Sequence, residues 1–350
     1  MDRKNRRLGA RRLGALVAVF ALIVVVVATA GQAKANKQYV LGISNTLVGN
    51  GWREGMLCSI KAQARKSGEV SSLKIAHRAT DTAGQISDIK NMISAGVDGL
   101  IINPSSATAL IPVTAQARAK GIQVVFIDQK VNAPGAYNAT NDQTKYAFLG
   151  ATWLFKKLGG KGNVVEMRGY AGVPADTDRH KGFQAAAKAF PKIKIVKSIF
   201  TDWSFTKAGQ QMIDLLNSGL QIDGVWTSGT DYTVVDAFKK AGKPYVPIVG
   251  ADNYGFIRQV KSVLPPGMGA AVTNPASIGG AGVTQVLSVL DGKTTQKWIK
   301  LDPKALTWPK DKTQINKFAN PKAPPDGSAT LQLPPWTTYT LAELKACQGP

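Results

Sequence analysis

The sequence is poor in the residues that most catalytic and metal sites require. Its 350 residues include only two histidines, His77 and His180, and only two cysteines, Cys58 and Cys347. Metal sites draw several His and Cys residues from short spacings, and no such cluster occurs here. His77 closes an apolar run and His180 lies at a charged helix start, positions typical of surface or hydrogen-bonded histidines. These counts disfavour an enzyme and predict no metal site.

The short motifs of the common enzyme and nucleotide-binding classes are also missing. No G-x-G-x-x-G follows the first apolar run, no G-x-x-x-x-G-K-[ST] loop is present, and no G-x-S-x-G surrounds a serine. The stretch GGKGN at 159–163 is a turn into a strand rather than a phosphate loop. We therefore expect no catalytic residue and no cofactor.

Acidic residues are scarce relative to basic ones. The chain has 44 Lys and Arg against 22 Asp and Glu, a formal net charge of +22. Such a balance can indicate an anionic partner or a negative membrane surface. The basic residues are scattered, however, with no run of five or six and no interleaved aromatics of an RNA-binding kind. We attribute the charge to a solvated basic surface and expect no nucleic-acid partner.

The N-terminus has the order of an export signal. The basic stretch MDRKNRRLGARR is followed by the apolar run 13–30, and small residues close it at 28–30 and 33–35. The run is also about as long as a minimal membrane span. We expect an exported protein, periplasmic or at the cell surface, with residues 1–35 as either a cleaved signal peptide or a membrane anchor.

Cys58 and Cys347 leave two alternatives open. In an oxidising compartment they can form a disulfide that ties the C-terminal tail to the body. Otherwise Cys58 is buried on its helix and Cys347 is free. Connectivity cannot be deduced from sequence alone.

Apolar runs alternate with amphipathic stretches of helical length between residues 39 and 300. Short runs such as YVLGIS and GLIIN are typical of buried parallel strands. More such strands are present than one sheet comfortably holds, which predicts an α/β fold of two doubly wound parallel-sheet lobes joined by a hinge. The predicted strands cover 39–44, 73–77, 99–103, 122–128, 163–167, 193–200, 223–228, 246–252 and 269–273.

The predicted strands end in loops rich in polar and aromatic residues. Examples are NGW at 50–52, IDQK at 127–130, TDWSF at 201–205 and GADNYG at 250–255. In doubly wound sheets a ligand lies at the carboxyl ends of the strands. Few of these side chains suit catalysis, and together they indicate a protein that binds a small polar molecule.

The combined order of several motifs resembles the ribose-type periplasmic sugar-binding proteins, the type I solute-binding proteins of ABC importers. The likeness covers about 40–300 and rests on GNGW, GVDGLIINPSS, GIQVVFIDQ, ATND, DRHKGF, DWSFTKAG, VPIVGAD and VTNPASIGG. It implies a first lobe of 38–140 with 275–300 and a second lobe of 141–274, which close on a ligand. We expect a monomer that hands a sugar or polyol to an ABC importer permease.

The resemblance also implies particular ligand contacts. Trp52 and Trp203, one from each lobe, would cover the faces of a sugar ring, with Asn50 and Arg53 beside Trp52. The positions implied for contacts to ligand hydroxyl groups are Asp128, Arg179 and Asp252. Asn141 matches the family's polar ligand-binding residue at the crossover between the lobes. The alternatives are packing for the tryptophans, helix capping for Asp128 and Asp252, and a surface position for Arg179.

Three positions of the family's ligand site depart from its pattern, and Gln129 and Thr273 remain expected ligand contacts. Gln129 stands where many sugar binders have Arg, Gly229 where the family often has Asn, and Thr273 where it often has Gln. We expect Asp231 or Tyr232 to fill the gap at Gly229. Since these side chains are shorter or neutral, the ligand is expected to be another polyol, a larger sugar or one with an apolar group.

The C-terminal extension, 301–350, is an addition to the family's pattern. Its Pro-rich stretch predicts either extended chain wrapped over a lobe, with Trp308 and Trp336 as buried anchors, or a partly disordered tail. An alternative function for the whole chain is a membrane-anchored ectodomain that senses a ligand for a signalling partner. That alternative requires the run 13–30 to remain uncleaved.

Overall fold

The computed structural model describes residues 38–350. The expected signal peptide or anchor at 1–35 lies outside the described residues. Within 38–350, no helix is both long and apolar enough to cross a membrane.

Helices and strands alternate along the described chain. The strands are β1 (Tyr39–Asn45), β2 (Val70–His77), β3 (Gly99–Asn103), β4 (Gln123–Asp128), β5 (Tyr137–Asn141), β6 (Lys161–Arg168), β7 (Lys192–Phe200), β8 (Gly224–Thr227), β9 (Ile248–Ala251), β10 (Gly269–Val272), β11 (Trp298–Leu301) and β12 (Ala305–Thr307). The helices are α1 (Gly51–Ser67), α2 (Thr82–Ser94), α3 (Ile111–Ala119), α4 (Gln143–Lys157), α5 (Pro174–Lys188), α6 (Phe205–Asn217), α7 (Asp231–Lys240), α8 (Tyr254–Ser262), α9 (Ile278–Leu290), α10 (Lys312–Phe318) and α11 (Leu341–Ala346).

Two six-stranded sheets organise these elements. The first sheet has the order β11-β5-β4-β3-β1-β2, and the second has the order β12-β10-β9-β8-β6-β7. Neighbouring strands are parallel except at the β10–β12 pair. Because these strands run in the same direction, the carboxyl ends of the parallel strands in each sheet lie along one edge. The predicted fold class, two doubly wound parallel sheets, is confirmed.

Both sheets are buried on their two faces, which explains why their strands are continuous apolar runs. In β3, Ile101 packs in a core with α1 and α9, whereas Leu100 and Ile102 pack in a core with α2 and α3. Successive strand residues point to opposite faces, so both faces need apolar side chains. The strands of the first sheet come from 39–141 and 298–301. The lobe boundaries expected from the sequence, 38–140 with 275–300 and 141–274, stay a prediction.

The start of α1 is fixed by a side-chain cap. Asn50 Oδ1 accepts a hydrogen bond from the Arg53 N–H at 2.9 Å, which satisfies one of the free amides of the first turn. The helix ends at Gly68, whose φ of 69° is in the left-handed region that glycine adopts without strain. The cap therefore holds Trp52 and Arg53 at a defined position beyond the end of β1.

The C-terminal extension contacts both sheets, and its two short helices, α10 and α11, lie on either side of the Pro-rich stretch 321–340, which itself contains no helix. β12 pairs with β10 of the second sheet, and Trp308 packs against the core of that sheet. Trp336 packs against the core of the first sheet. Of the two alternatives for the cysteines, the structure contains the disulfide: Cys58 on α1 is bonded to Cys347, with their Cα atoms 4.5 Å apart.

Candidate ligand-binding site

A cavity lies between the carboxyl edges of the two sheets. Its lining comes from the start of α1, the end of β4, and the segments that follow β6, β7, β8, β9 and β10. The lining residues are Asn50, Trp52, Arg53, Asp128, Ala175, Arg179, Trp203, Phe205, Ser228, Gly229, Ala251, Asn253 and Asn274. The structure thus brings six of the predicted ligand contacts together: Asn50, Trp52, Arg53, Asp128, Arg179 and Trp203.

The two tryptophans reach the cavity from opposite sheets, and hydrogen bonds fix the edge of each ring. Trp52 Nε1 donates to the Asn274 carbonyl at 2.6 Å, and Trp203 Nε1 donates to the Ser228 carbonyl at 2.9 Å. Trp203 has a φ of 53°, a left-handed conformation that is uncommon for a residue with a side chain. Such backbone conformations persist where surrounding contacts hold them, and they cluster at binding sites.

Gly169 explains how the Trp203 ring fits. A Cβ atom at residue 169 would lie 2.2 Å from the indole, so any side chain there would displace the ring. The close approach of backbone and ring orients Trp203 toward the cavity.

Three buried charged groups line the cavity. Arg53 Nη1 donates to Asn45 Oδ1, and Asp128 Oδ1 accepts from Gln143 Nε2 at 2.8 Å. The other end of the same amide, Gln143 Oε1, accepts from Arg179 Nε at 2.8 Å. Gln143 therefore links the carboxylate of the first sheet to the guanidinium of the second.

Burial changes the proton affinities of these groups. It raises the pKa of Asp128, although the positive charges of Arg53 and Arg179 act in the opposite direction. Burial lowers the pKa of Arg53 to about 10, so the guanidinium stays charged at neutral pH. The cavity therefore offers fixed donors from two arginines and one carboxylate acceptor, a set that matches hydroxyl groups able both to accept and to donate.

Three predicted contacts lie behind the cavity and bond to neighbouring segments. Gln129 Oε1 accepts from the Ala175 N–H at 2.7 Å. Asn141 Nδ2 donates to the Thr273 carbonyl at 3.3 Å, and Thr273 Oγ1 accepts from the Lys304 N–H at 2.9 Å. The Gln129 and Asn141 bonds connect strand ends of the first sheet with segments of the second, whereas the Thr273 bond joins two segments of the second sheet. None of the three side chains lines the cavity.

Asp231 and Asp252 are also absent from the cavity lining, and each holds a residue that is present there. Asn253 Nδ2 donates to both carboxylate oxygens of Asp231 at 3.1 Å. Asp252 Oδ1 accepts from the Asn274 N–H at 2.8 Å, and its Oδ2 accepts from Thr330 Oγ1 at 2.6 Å. The predicted hydroxyl acceptors are thus engaged by the protein, and they orient the two asparagines instead.

Sequence reasoning missed several lining residues. Asn253 and Asn274 each lie two residues after the end of a strand, β9 and β10, and that position was an available signal for both. Ala175 and Ala251 are too small to be singled out by type. The lining residues not predicted as contacts are Ala175, Phe205, Ser228, Gly229, Ala251, Asn253 and Asn274.

The burial of Asp231 predicts a pH dependence of stability. Burial raises its pKa to about 7, although Asn253 and backbone amides that donate to the carboxylate lower it. An aspartate in an unfolded chain has a pKa of about 3.9, so between about pH 4 and pH 7 the native state holds a proton that the unfolded state has lost. The free energy of unfolding should fall as the pH rises through this window and then level off.

Urea unfolding of the wild type and of Asp231→Asn at about pH 5 and about pH 8 checks this pH dependence. The wild type should lose more stability between the two conditions, because the amide of the variant does not titrate. Equal losses in the two proteins would contradict the assignment to Asp231.

The chain matches a known protein family and several characterised relatives. The family described as periplasmic binding protein domain matches residues 41–294. A xylitol-binding protein of Mycolicibacterium smegmatis is 32% identical over 177 residues, which are 49% of this chain and 51% of that protein. The galactofuranose-binding protein YtfQ of Escherichia coli is 31% identical over 58% of this chain and 66% of its own length. The chain therefore spans about half to two thirds of these two relatives.

A relative that matches over a longer part of the chain and a solved structure support the same family. A ribose import binding protein of Bacillus subtilis is 27% identical over 75% of this chain and 85% of its own length. The crystal structure of an ABC transporter solute binding protein from Thermobispora bispora is 26% identical with a TM-score of 0.76, over 83% of this chain and 90% of that one. Since the family match covers well over half of the sequence, this protein belongs to the periplasmic binding protein family.

Proposed function

We propose that this protein captures a sugar or a related polyol in the cavity between its two sheets and delivers it to an ABC importer. One observation carries the proposal: a single cavity is lined by Trp52 and Trp203, from opposite sheets, together with buried arginine and aspartate side chains. Relatives named for binding xylitol, galactofuranose and ribose support the ligand class.

The chemistry of the lining suits such a ligand. The C–H faces of a sugar ring pack on indole faces, and its hydroxyl edges bond to planar polar groups. Arg53 and Arg179 donate in rigid forks, while Asp128 accepts from hydroxyl groups. The cavity thus combines apolar ring faces with polar side chains, and a polyhydroxylated ligand can contact both.

The lining also bears on which member of this class is bound. Gly229 contributes no side chain to the cavity, and Phe205 and Ala251 add apolar surface beside it. Asp231 does not fill the gap, because its carboxylate is bonded behind the wall to Asn253. We propose a ligand other than ribose, one that places an apolar edge or an additional group against this part of the cavity.

Export, monomeric action and lobe closure belong to the same proposal. The segment that would direct export lies outside the described residues. Closure would bring the lobe of 38–140 and 275–300 against the lobe of 141–274, and it would present a surface for an importer permease. No observation on the described residues favours the alternative of a signalling ectodomain.

A thermal-shift screen tests the proposal. We expect at least one compound among xylitol, other pentitols, pentoses, hexoses and furanose sugars to raise the melting temperature. A ligand at one hundred times its Kd adds about 2.7 kcal/mol of stability. The same compound at the same concentration should give a clearly smaller shift with Trp203→Ala, because a higher Kd lowers the added stability. A panel that leaves the wild-type melting temperature unchanged at millimolar concentrations would refute the ligand class.

A further inference from the structure

One segment of the C-terminal extension, residues 325–330, runs next to residues that line the cavity. We call this segment the strap. On the side of the second sheet, its backbone makes three hydrogen bonds of 2.8 to 2.9 Å with the residue after β9 and the first two residues of α8. The bonded pairs are Pro325–Gly255, Gly327–Tyr254 and Ala329–Asp252. The strap is therefore fixed to the second sheet beside Asn253.

On the side of the first sheet, the strap reaches the first turn of α1. Asp326 Oδ2 accepts a hydrogen bond from the Gly51 N–H at 2.6 Å. The amides at a helix N-terminus lack intrahelical partners, and the helix dipole favours a negative charge there. Gly51 lies between Asn50 and Trp52, both of which line the cavity. A single carboxylate thus connects the second-sheet side of the cavity to the Trp52 turn.

Two glycines make room for the strap. A Cβ atom at Gly51 would lie 2.7 Å from the Asp326 carboxylate carbon and 2.9 Å from its backbone carbon. A Cβ atom at Gly255 would lie 2.9 Å from the Pro325 Cβ atom. Neither glycine has a positive φ, so at Gly51 it is the strap, and not the backbone conformation, that excludes a side chain. Asp326, which lies 275 positions later in the chain, therefore explains why the NGW motif has a glycine at position 51.

From the last residue of the strap onward, the chain is anchored on the first sheet. The Thr330 carbonyl accepts from Ser277 Oγ at 3.0 Å, and Tyr339 Oη lies 2.9 Å from Ser59 Oγ on α1. The Cys58–Cys347 disulfide then joins the end of the extension to α1. The strap is held at one end by the second sheet and at the other by the first, so any rotation between the sheets must release or stretch it.

We propose that Asp326 is a positioning residue for the ligand site. It holds the first turn of α1, and with it Trp52 and Arg53, toward the second sheet, so that the cavity is preformed before a ligand arrives. The effect on binding rests on the proposed function, whereas the connection between the sheets does not.

Small-angle scattering of the ligand-free protein tests the connection. Asp326→Ala removes the bond, and Gly51→Ala forces the strap away by adding a methyl group where Asp326 lies. Both should increase the radius of gyration relative to the wild type. Asp214→Ala is the matched control, because among residues 38–350 that carboxylate accepts a hydrogen bond from Gln210 alone, within α6. A radius unchanged in both variants, with the fold verified by circular dichroism, would overturn the proposal.

Ligand kinetics test the positioning role, with xylitol as the probe. Asp326→Ala should raise the dissociation rate about tenfold and leave the association rate nearly unchanged, since a charge-assisted bond that stabilises the closed cavity is lost. A larger radius with an unchanged dissociation rate would overturn the positioning role. If xylitol fails to bind the wild type, xylitol is not the ligand of this protein. The scattering result still decides whether Asp326 connects the sheets.

Discussion

Replacement of Trp203 by alanine is expected to raise the Kd for a bound sugar or polyol by about tenfold or more. The ring supplies apolar surface to the cavity, and an aromatic contact of this kind contributes about 1–3 kcal/mol. Trp52→Ala should have an effect of the same order from the first sheet. Loss of both rings should abolish measurable binding, because the ligand would keep only its polar contacts.

Isothermal titration calorimetry with a compound identified by thermal shift measures these losses. Trp298→Ala is the matched control, since that ring lies partly exposed on the edge strand β11 and donates to Thr140 Oγ1 at 2.7 Å. Each variant should keep a cooperative melting transition. An affinity that is unchanged in both Trp52→Ala and Trp203→Ala would show that the ligand binds elsewhere.

Removal of the disulfide is expected to lower the free energy of unfolding more than any of the other substitutions described above. The bond closes a loop with a sequence separation of 289 residues, nearly the whole described chain. In the chain-entropy description, a loop of this length corresponds to a stabilisation of about 5–6 kcal/mol, at or above the upper end of the range found for single disulfides. The double variant Cys58→Ser with Cys347→Ser should therefore unfold at a clearly lower guanidinium concentration.

Unfolding of the wild type with and without a reducing agent provides the control. The reduced wild type should match the double variant, and the reducing agent should leave the double variant unchanged. The slope of the transition reports whether the unfolded state has also expanded. Coincident midpoints for oxidised and reduced wild type would contradict the expected contribution.

The apolar strands could be predicted from sequence, whereas β5 could not. Its sequence, YNATN, has no apolar run, and the strand forms because β4 and β11 pair with it on either side. The side chain of Asn138 is satisfied by the backbone of Val131, with bonds of 3.0 and 3.2 Å. A polar strand in a central position depends on partners distant in sequence, which periodicity does not reveal.

The orientation of the site residues could be predicted only in part. Polar and aromatic side chains at strand ends indicated the region of the cavity, because parallel strands bring those ends together. Whether an aspartate there faces the cavity depends on its other partners. The Asp252 carboxylate accepts a hydrogen bond from Thr330, a residue of the C-terminal extension that lies 78 positions later. Asn50 was expected to contact a ligand, and it both lines the cavity and caps α1.

The disulfide has a further consequence at the proposed location outside the cytoplasm, where proteases are common. All the passes of the chain between the two sheets, including the strap, lie between Cys58 and Cys347. Any single peptide bond cleaved within that interval leaves two fragments that remain covalently joined through the sulfur atoms. A protease that nicks one exposed connection would therefore leave both halves of the cavity in one molecule, and the two fragments would separate only after reduction.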